Sequence, residues 1–507
     1  MQPMTRRDLV RLLGLLPLAS FQRPMSSPRR EPRQGAHRRP NILILVFDAF
    51  SAQHTPLYGY RWSTTPHLSR FADRAVVFHS HYAAGSFTTP GTASLLTGTY
   101  PWSHRAVNLQ GTVLDAFQDR SIFHLFGTEG YHRLAYSHNM VVSSLLNQFR
   151  EEIDDYTVTR DLCLQDPYAS QRLFASDFTP AVQAESLIRR RGDSSSSLVL
   201  YEIYRLWMSY RERRLNARYA DRFPRGLPGQ EDRVFLLEDA VDWTMRQLDA
   251  MPEPFLAYLH FLPPHDPYHA RKDFVGRFPR GGAPAAKPSH PLSAGVTEEW
   301  LADASREYDE YIAYADAEFG RLLDFMEAAG ILETTYVIVT SDHGELFERG
   351  IWGHITPVLF EPLIRIPLII SQPGRRVRRD VHASTSCVDI LPTLLQVAGI
   401  PRPVWCEGEL LPSVGDQEAA ADRAVYCMDA KGSSRFGPLA KRTVTVIRNR
   451  HKLVHYLGYP EYDDVHELYD LNDDPQELRN IYSSRRGIAS DLRALLSDKS
   501  VELQRRV

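Results

Sequence analysis

Apolar residues along this chain fall into two patterns. Short unbroken runs, NILILVF (41–47), FLAYLHF (255–261), YVIVTS (336–341) and PLIIS (367–371), are too brief for helices and rich in β-formers. They predict strands buried on both faces. Between them lie longer stretches such as ADASREYDEYIAYADAEFGRLLDFMEAAG (302–330), with apolar positions at helical spacing. The alternation predicts an α/β fold, a large mainly parallel sheet flanked by helices. In such sheets ligands gather at the carboxyl ends of the strands. Asp48 follows the first run, and Asp342 and His343 follow the third, so three potential metal ligands are predicted to share one rim.

The pattern changes twice. Residues 150–235 hold no strand-like run; the polar RRRGDSSSS precedes LVLYEIYRLWMSYRERRLNARY, which predicts an inserted helical lid. Over 416–507 the short runs AVYCM, RTVTVIR, HKLVHY and HELYDL, followed by IASDLRALLSD, predict a small antiparallel sheet with one helix. That leaves 39–415 as the main domain and 416–507 as a C-terminal α+β subdomain.

One turn stands out. In GSFTTPGTASLLTG (85–98) small residues lead straight into an apolar helix, and the hydroxyl of Thr88 would lie at the helix N-terminus beside unpaired backbone N–H groups. That is a suitable place for a nucleophile. A slipped register would put Thr89 or Thr92 there instead.

Composition narrows the partners. The chain has 507 residues, 43% hydrophobic and 24% charged, ordinary values for a globular protein with one large core and a smaller one. A formal charge of -3 argues against nucleic acid as a partner, and the arginine clusters at 189–191 and 374–379 read as solvated faces. At the N-terminus Arg6 and Arg7 precede the apolar run Leu12–Ala19, too short to span a bilayer but similar to a twin-arginine export signal over residues 1–20. Residues 21–38, rich in Pro, Ser and Arg, read as a disordered linker, and no later segment approaches transmembrane length. Cys163, Cys387, Cys406 and Cys427 show no C-x-x-C spacing, which argues against a zinc knuckle. Disulfide pairing and oligomeric state stay open.

Read in order, RPNILILVFDAF, TTPGTASLLTGTYP, LHFLPPHDPY, VIVTSDHGEL, WGHITPVLFEPLIRIPLII, CVDILPTLLQVAGIP and ELYDLNDDPQELRNI resemble the blocks of the sulfatase family, within the alkaline-phosphatase-like superfamily. The likeness spans roughly residues 40–482. The active-site positions differ. The family signature is Cys/Ser-x-Pro-Ser-Arg, whose first residue is oxidised to formylglycine; here it reads Thr88-Thr89-Pro90-Gly91-Thr92, so no formylglycine is expected. The usual Asp pair after the first strand is Asp48-Ala49, and the two sulfate-binding lysines align with His138 and His354. His265, in PPHDPY, matches the family's substrate-contacting histidine.

The remaining set, Asp48, Thr88, Asp342 and His343, resembles the single-metal site of phosphoglycerol and phosphoethanolamine transferases, where an unmodified Thr attacks. Two carboxylates and an imidazole favour one zinc or manganese ion, with calcium or magnesium as alternatives. The resemblance implies an exported hydrolase or transferase of sulfate or phosphate esters on a small molecule, glycan or lipid headgroup. Thr88 would be the nucleophile, His265 and His354 catalytic, and His138 a substrate contact. A non-catalytic protein binding anionic glycans or lipids is the alternative. His104, in YPWSH, reads as structural.

Overall fold

Every residue of Asn41–Phe47 is buried, as an unbroken apolar run requires. Leu43, Leu45 and Phe47 face one core and Ile42, Ile44 and Val46 the other. This is β1 of the computed structural model, which describes residues 39–157, 159–164, 198–230, 233–279, 287–414 and 422–505. Seven further strands complete its sheet: β2 (Val76–Tyr82), β3 (His132–Ser137), β4 (Asp155–Thr157), β5 (Phe255–Phe261), β6 (Thr335–Thr340), β7 (Leu368–Ser371) and β8 (Arg379–Ser386). The order is β8-β2-β7-β6-β1-β5-β3-β4. All pairings are parallel except those of β7, which runs antiparallel to both β2 and β6. The α/β architecture agrees with the sequence reading.

Helices cover both faces. On the side of Leu43 lie α2 (Leu237–Ala250), with Ala240 and Leu248, and α3 (Glu298–Ala328), with Tyr308, Ile312 and Phe319. On the other lies α1 (Thr88–Thr97), through Ala93, Leu95 and Leu96. The C-terminal part is an antiparallel sheet, β9 (Ala424–Asp429), β10 (Arg442–Arg448), β11 (His451–Leu457) and β12 (Val465–Asp470), in that order. Its α4 (Arg486–Arg505) packs Ala489, Leu492 and Leu496 with Val446 and Leu453. Met428 N–H donates to Ala84 O at 2.9 Å, tying β9 to the turn that leads into α1.

The 150–235 segment is not free of strands. The helix Leu198–Tyr219 forms, but β4 extends the main sheet beside β3, and Gly229–Gln230 pairs with Arg233–Val234. These strands of two or three residues form through backbone hydrogen bonds and leave no apolar run to read. The export segment, the linker and residues 165–197 lie outside the described residues. Among the described residues no helix is long and apolar enough to cross a membrane.

Two buried imidazoles predict acid sensitivity. His81, bonded through Nδ1 to Thr385 Oγ1 at 2.9 Å, and His104, whose Nδ1 accepts from Ala106 N–H at 3.0 Å, are both pushed down by burial from 6.5 to about 3. The unfolded chain therefore takes up these protons first. The stabilisation they give is complete above pH 6.5 and is lost as pH falls towards 3. At pH 5 each is expected to cost about 2 kcal/mol relative to pH 7. Denaturant unfolding at pH 7 and pH 5 should show this loss, and His104→Asn should reduce it; an unchanged pH dependence would refute the assignment.

Candidate active site

The site forms where neighbouring strands end. β1 delivers Asp48, whose N–H donates to Phe261 O at 3.0 Å at the end of β5, and β6 delivers Asp342 and His343 through Ser341. Each carboxylate has one oxygen tied and one open. Asp48 Oδ2 accepts from Asn139 Nδ2 at 2.6 Å, and Asp342 Oδ1 accepts the backbone N–H of Ala49 at 3.2 Å and of His343 at 3.0 Å. Asp48 Oδ1 and Asp342 Oδ2 are buried with no hydrogen-bond partner. His343 Nε2 lies 3.4 Å from the first and 3.5 Å from the second. Its Nδ1–H donates to Gly344 O at 2.8 Å, which directs the other nitrogen into the cluster.

Open carboxylate oxygens in a dry interior carry a large desolvation cost unless a cation meets them. Asp48, Asp342 and His260 offer ligand atoms within 4.8 Å of one another, with His343 alongside, so the donors fit a divalent ion. Protons supply the positive charge otherwise. Burial would lower His343, but Asp342 and Asp48 raise it to about 9. Burial would likewise raise Asp48, but the imidazoles of His265, His260 and His343 hold it well below the usual carboxylate range.

Thr88 is the first residue of α1, and its Oγ1 lies 3.2 Å from His343 Nε2. Glycine permits this approach: a Cβ on Gly91 would stand 2.3 Å from Asp342 O. The hydroxyl of Thr89 is buried and unpartnered, and that of Thr92 is buried beside Tyr258. The structure thus brings Thr88, Asp48, Asp342 and His343 together.

The other predicted residues take distinct places. His265 is held through Nδ1 by Asp266 O at 2.8 Å and its carboxylate at 3.0 Å. Burial opposes its charge, but Asp48, Asp266 and Glu345 raise it to about 10. His354 Nδ1 meets Glu345 at 3.0 Å, and its ring centroid lies 4.7 Å from that of His265 and 4.4 Å from that of His343. His138 is buried, stacked on Phe235 at 3.7 Å with both ring nitrogens unpartnered. His104 bonds Ser94 Oγ at 2.9 Å, in keeping with a structural role.

Sequence reasoning missed two residues. His260, near the end of β5, stands with Nε2 3.2 Å from Asp48 Oδ2 and Nδ1 2.8 Å from Tyr258 OH. Asn139 both caps the helix Met140–Gln148 and orients Asp48. For His260 a signal existed: it is the single polar residue closing the apolar run FLAYLHF.

The sulfatase family model matches residues 40–400, and that of the N-sulphoglucosamine sulphohydrolase C-terminal region matches 352–505. The chain belongs to the sulfatase family. It is similar to a choline-sulfatase of Rhizobium meliloti, 26% identical over 89% of this chain and 83% of the relative. An N-acetylglucosamine-6-O-sulfatase of Bacteroides thetaiotaomicron is 24% identical over 92% and 86%. Among solved structures, a phosphonate monoester hydrolase of Agrobacterium radiobacter superposes with a TM-score of 0.67 at 20% identity, covering 92% of this chain and 96% of that one.

Proposed function

We propose that this protein is a metal-dependent hydrolase of phosphate and sulfate esters that uses the unmodified hydroxyl of Thr88 as its nucleophile. One observation carries the reading: Thr88 Oγ1 stands at the start of α1, 3.2 Å from His343 Nε2, in the cluster that holds the open oxygens of Asp48 and Asp342. Asp48, Asp342 and His343, with His260 beside them, would hold zinc or manganese by donor type. Such an ion, when bound, favours the alkoxide of a neighbouring hydroxyl and neutralises an anionic ester.

Thr88, its hydroxyl proton released to water as the alkoxide forms, then attacks phosphorus or sulfur in line. A bond from its oxygen forms as the bond to the leaving oxygen breaks, and the first N–H groups of α1 stabilise the equatorial oxygens. His265 gives the departing oxygen a proton, while His354 and His138 contact the anionic group. Formylglycine, as the family resemblance implies, releases sulfate by elimination through a second hydroxyl on the same carbon. Threonine lacks that hydroxyl, so water must attack the covalent intermediate, and phosphoryl chemistry tolerates this step more readily. Phosphate esters are therefore the expected substrates of choice. Specificity for a small anion, glycan or lipid headgroup belongs to the loops around the rim. Export through the Arg6-Arg7 segment is part of the same reading.

Aryl phosphate, phosphodiester and aryl sulfate substrates, each tried with zinc, manganese, magnesium and calcium, test the proposal. Faster turnover of a phosphate ester is expected, and mass spectrometry of the 85–98 peptide should find an unmodified threonine. Turnover of sulfate esters alone would overturn the phosphate preference. No turnover in any combination would leave an anion-binding protein without catalysis.

A further inference from the structure

The helix Leu198–Tyr219 presents a face to solvent that is apolar and basic at once. Leu206, Tyr210, Arg213 and Ala217 form one exposed row at spacings of four, three and four, and Trp207, Arg211, Arg214 and Arg218 form the row beside it. Leu206 is 68% exposed and Tyr210 57%. Four arginines stand on this face, whereas Glu212, the one acid between 206 and 219, stands about half a turn away. Guanidinium groups lie over the rings, Arg211 over Trp207 at 4.5 Å and Arg214 over Tyr210 at 5.8 Å. The opposite side anchors the helix, through Leu215 and Tyr219 packed against the main core. Just beyond its end Arg222 O accepts from Lys272 N–H at 2.7 Å, which ties the helix to the segment that carries His265.

Charge and apolar exposure together select the occupant. A polyanionic glycan or nucleic acid would meet the arginines and leave Leu206 and Tyr210 in water. A lipid interface satisfies both, because arginine reaches the phosphates while aromatic and aliphatic side chains settle among the headgroups and upper acyl chains. We propose that this face is a peripheral membrane-binding surface that takes a bilayer of anionic lipids. The binding itself is independent of the reading of Thr88. Combined with that reading, on which this step rests, it favours a lipid headgroup over a free glycan as the ester acted upon.

Sedimentation of the full-length protein with vesicles tests the surface. Binding is expected to vesicles of equal parts phosphatidylcholine and phosphatidylglycerol, and little to phosphatidylcholine alone. Each arginine contributes about fivefold at an anionic surface, so Arg213→Gln combined with Arg214→Gln should weaken binding about 25-fold. Leu206→Ser combined with Tyr210→Ser should weaken it about tenfold or more, since apolar area no longer leaves water. Arg376→Gln combined with Arg378→Gln, in the cluster at 374–379, should change nothing, and unchanged thermal midpoints should show that all three variants fold. No binding to the mixed vesicles, equal binding to both kinds, or wild-type binding by both helix variants would overturn the proposal. Loss in the arginine variant with none in the Leu206 and Tyr210 variant would reveal a patch for polyanions and overturn it too. Turnover of a soluble aryl phosphate is read in parallel. Turnover without vesicle binding refutes the membrane surface alone, and vesicle binding without turnover refutes the Thr88 reading alone.

Discussion

Thr88→Ala is expected to lower kcat by about 10⁴-fold or more while leaving the fold and the bound metal in place. Alanine preserves the start of α1 and removes the oxygen that meets His343 Nε2 at 3.2 Å, together with the γ-methyl group. Thr88→Ser keeps that oxygen and should retain partial turnover, lower because serine lacks the methyl group that restricts χ1. Thr89→Ala should be mild, since that hydroxyl has no hydrogen-bond partner, and Thr92→Ala should be mild because its hydroxyl lies beside Tyr258. A slow phosphate ester should also leave a mass shift on the peptide carrying Thr88. Near wild-type turnover by Thr88→Ala, with loss on changing Thr89 or Thr92, would move the nucleophile along the loop. Full activity in all three would mean that no loop threonine attacks.

Asp342→Ala should remove the ion held with Asp48 and abolish activity. One oxygen of Asp342 fixes the backbone at Ala49 and His343 while the other is open to the centre, so the substitution removes both a ligand and the brace of the site. Asp48→Ala removes the second open carboxylate oxygen and should do the same. The loss of metal affinity should exceed the roughly 10–100-fold typical of changes behind the ligands. Asn139→Ala gives that smaller case, because Asn139 only orients Asp48. Equilibrium dialysis against zinc reads all three, and full occupancy in both aspartate variants would rule the site out.

The legible parts of this chain were those whose burial is apolar. β1, β5 and β6 are unbroken hydrophobic runs, and their ends gave Asp48, Asp342 and His343 directly. β2, VVFHSHY, and β8, RDVHASTS, form no such run: their polar residues are satisfied laterally, as in His81 with Thr385, which a one-dimensional reading cannot see. The direction of β7 was also hidden, because a run buried on both faces looks the same parallel or antiparallel. In the site, Thr88 was visible from its turn and helix. His260 was not singled out, because its role depends on β1 and β5 pairing with Val46 opposite it, a register that only the folded sheet supplies.

The close approach of Gly91 to Asp342 couples the start of α1 to the end of β6. The signature that the sequence resemblance implies has Ser where this chain has Gly91. A carbon added at 91 would stand 2.3 Å from the backbone carbonyl oxygen of Asp342, so α1 and the end of β6 would have to move apart. Any side chain at 91 is therefore accommodated only if the backbone around Asp342 moves together with the start of α1, so the two segments can vary only as a pair.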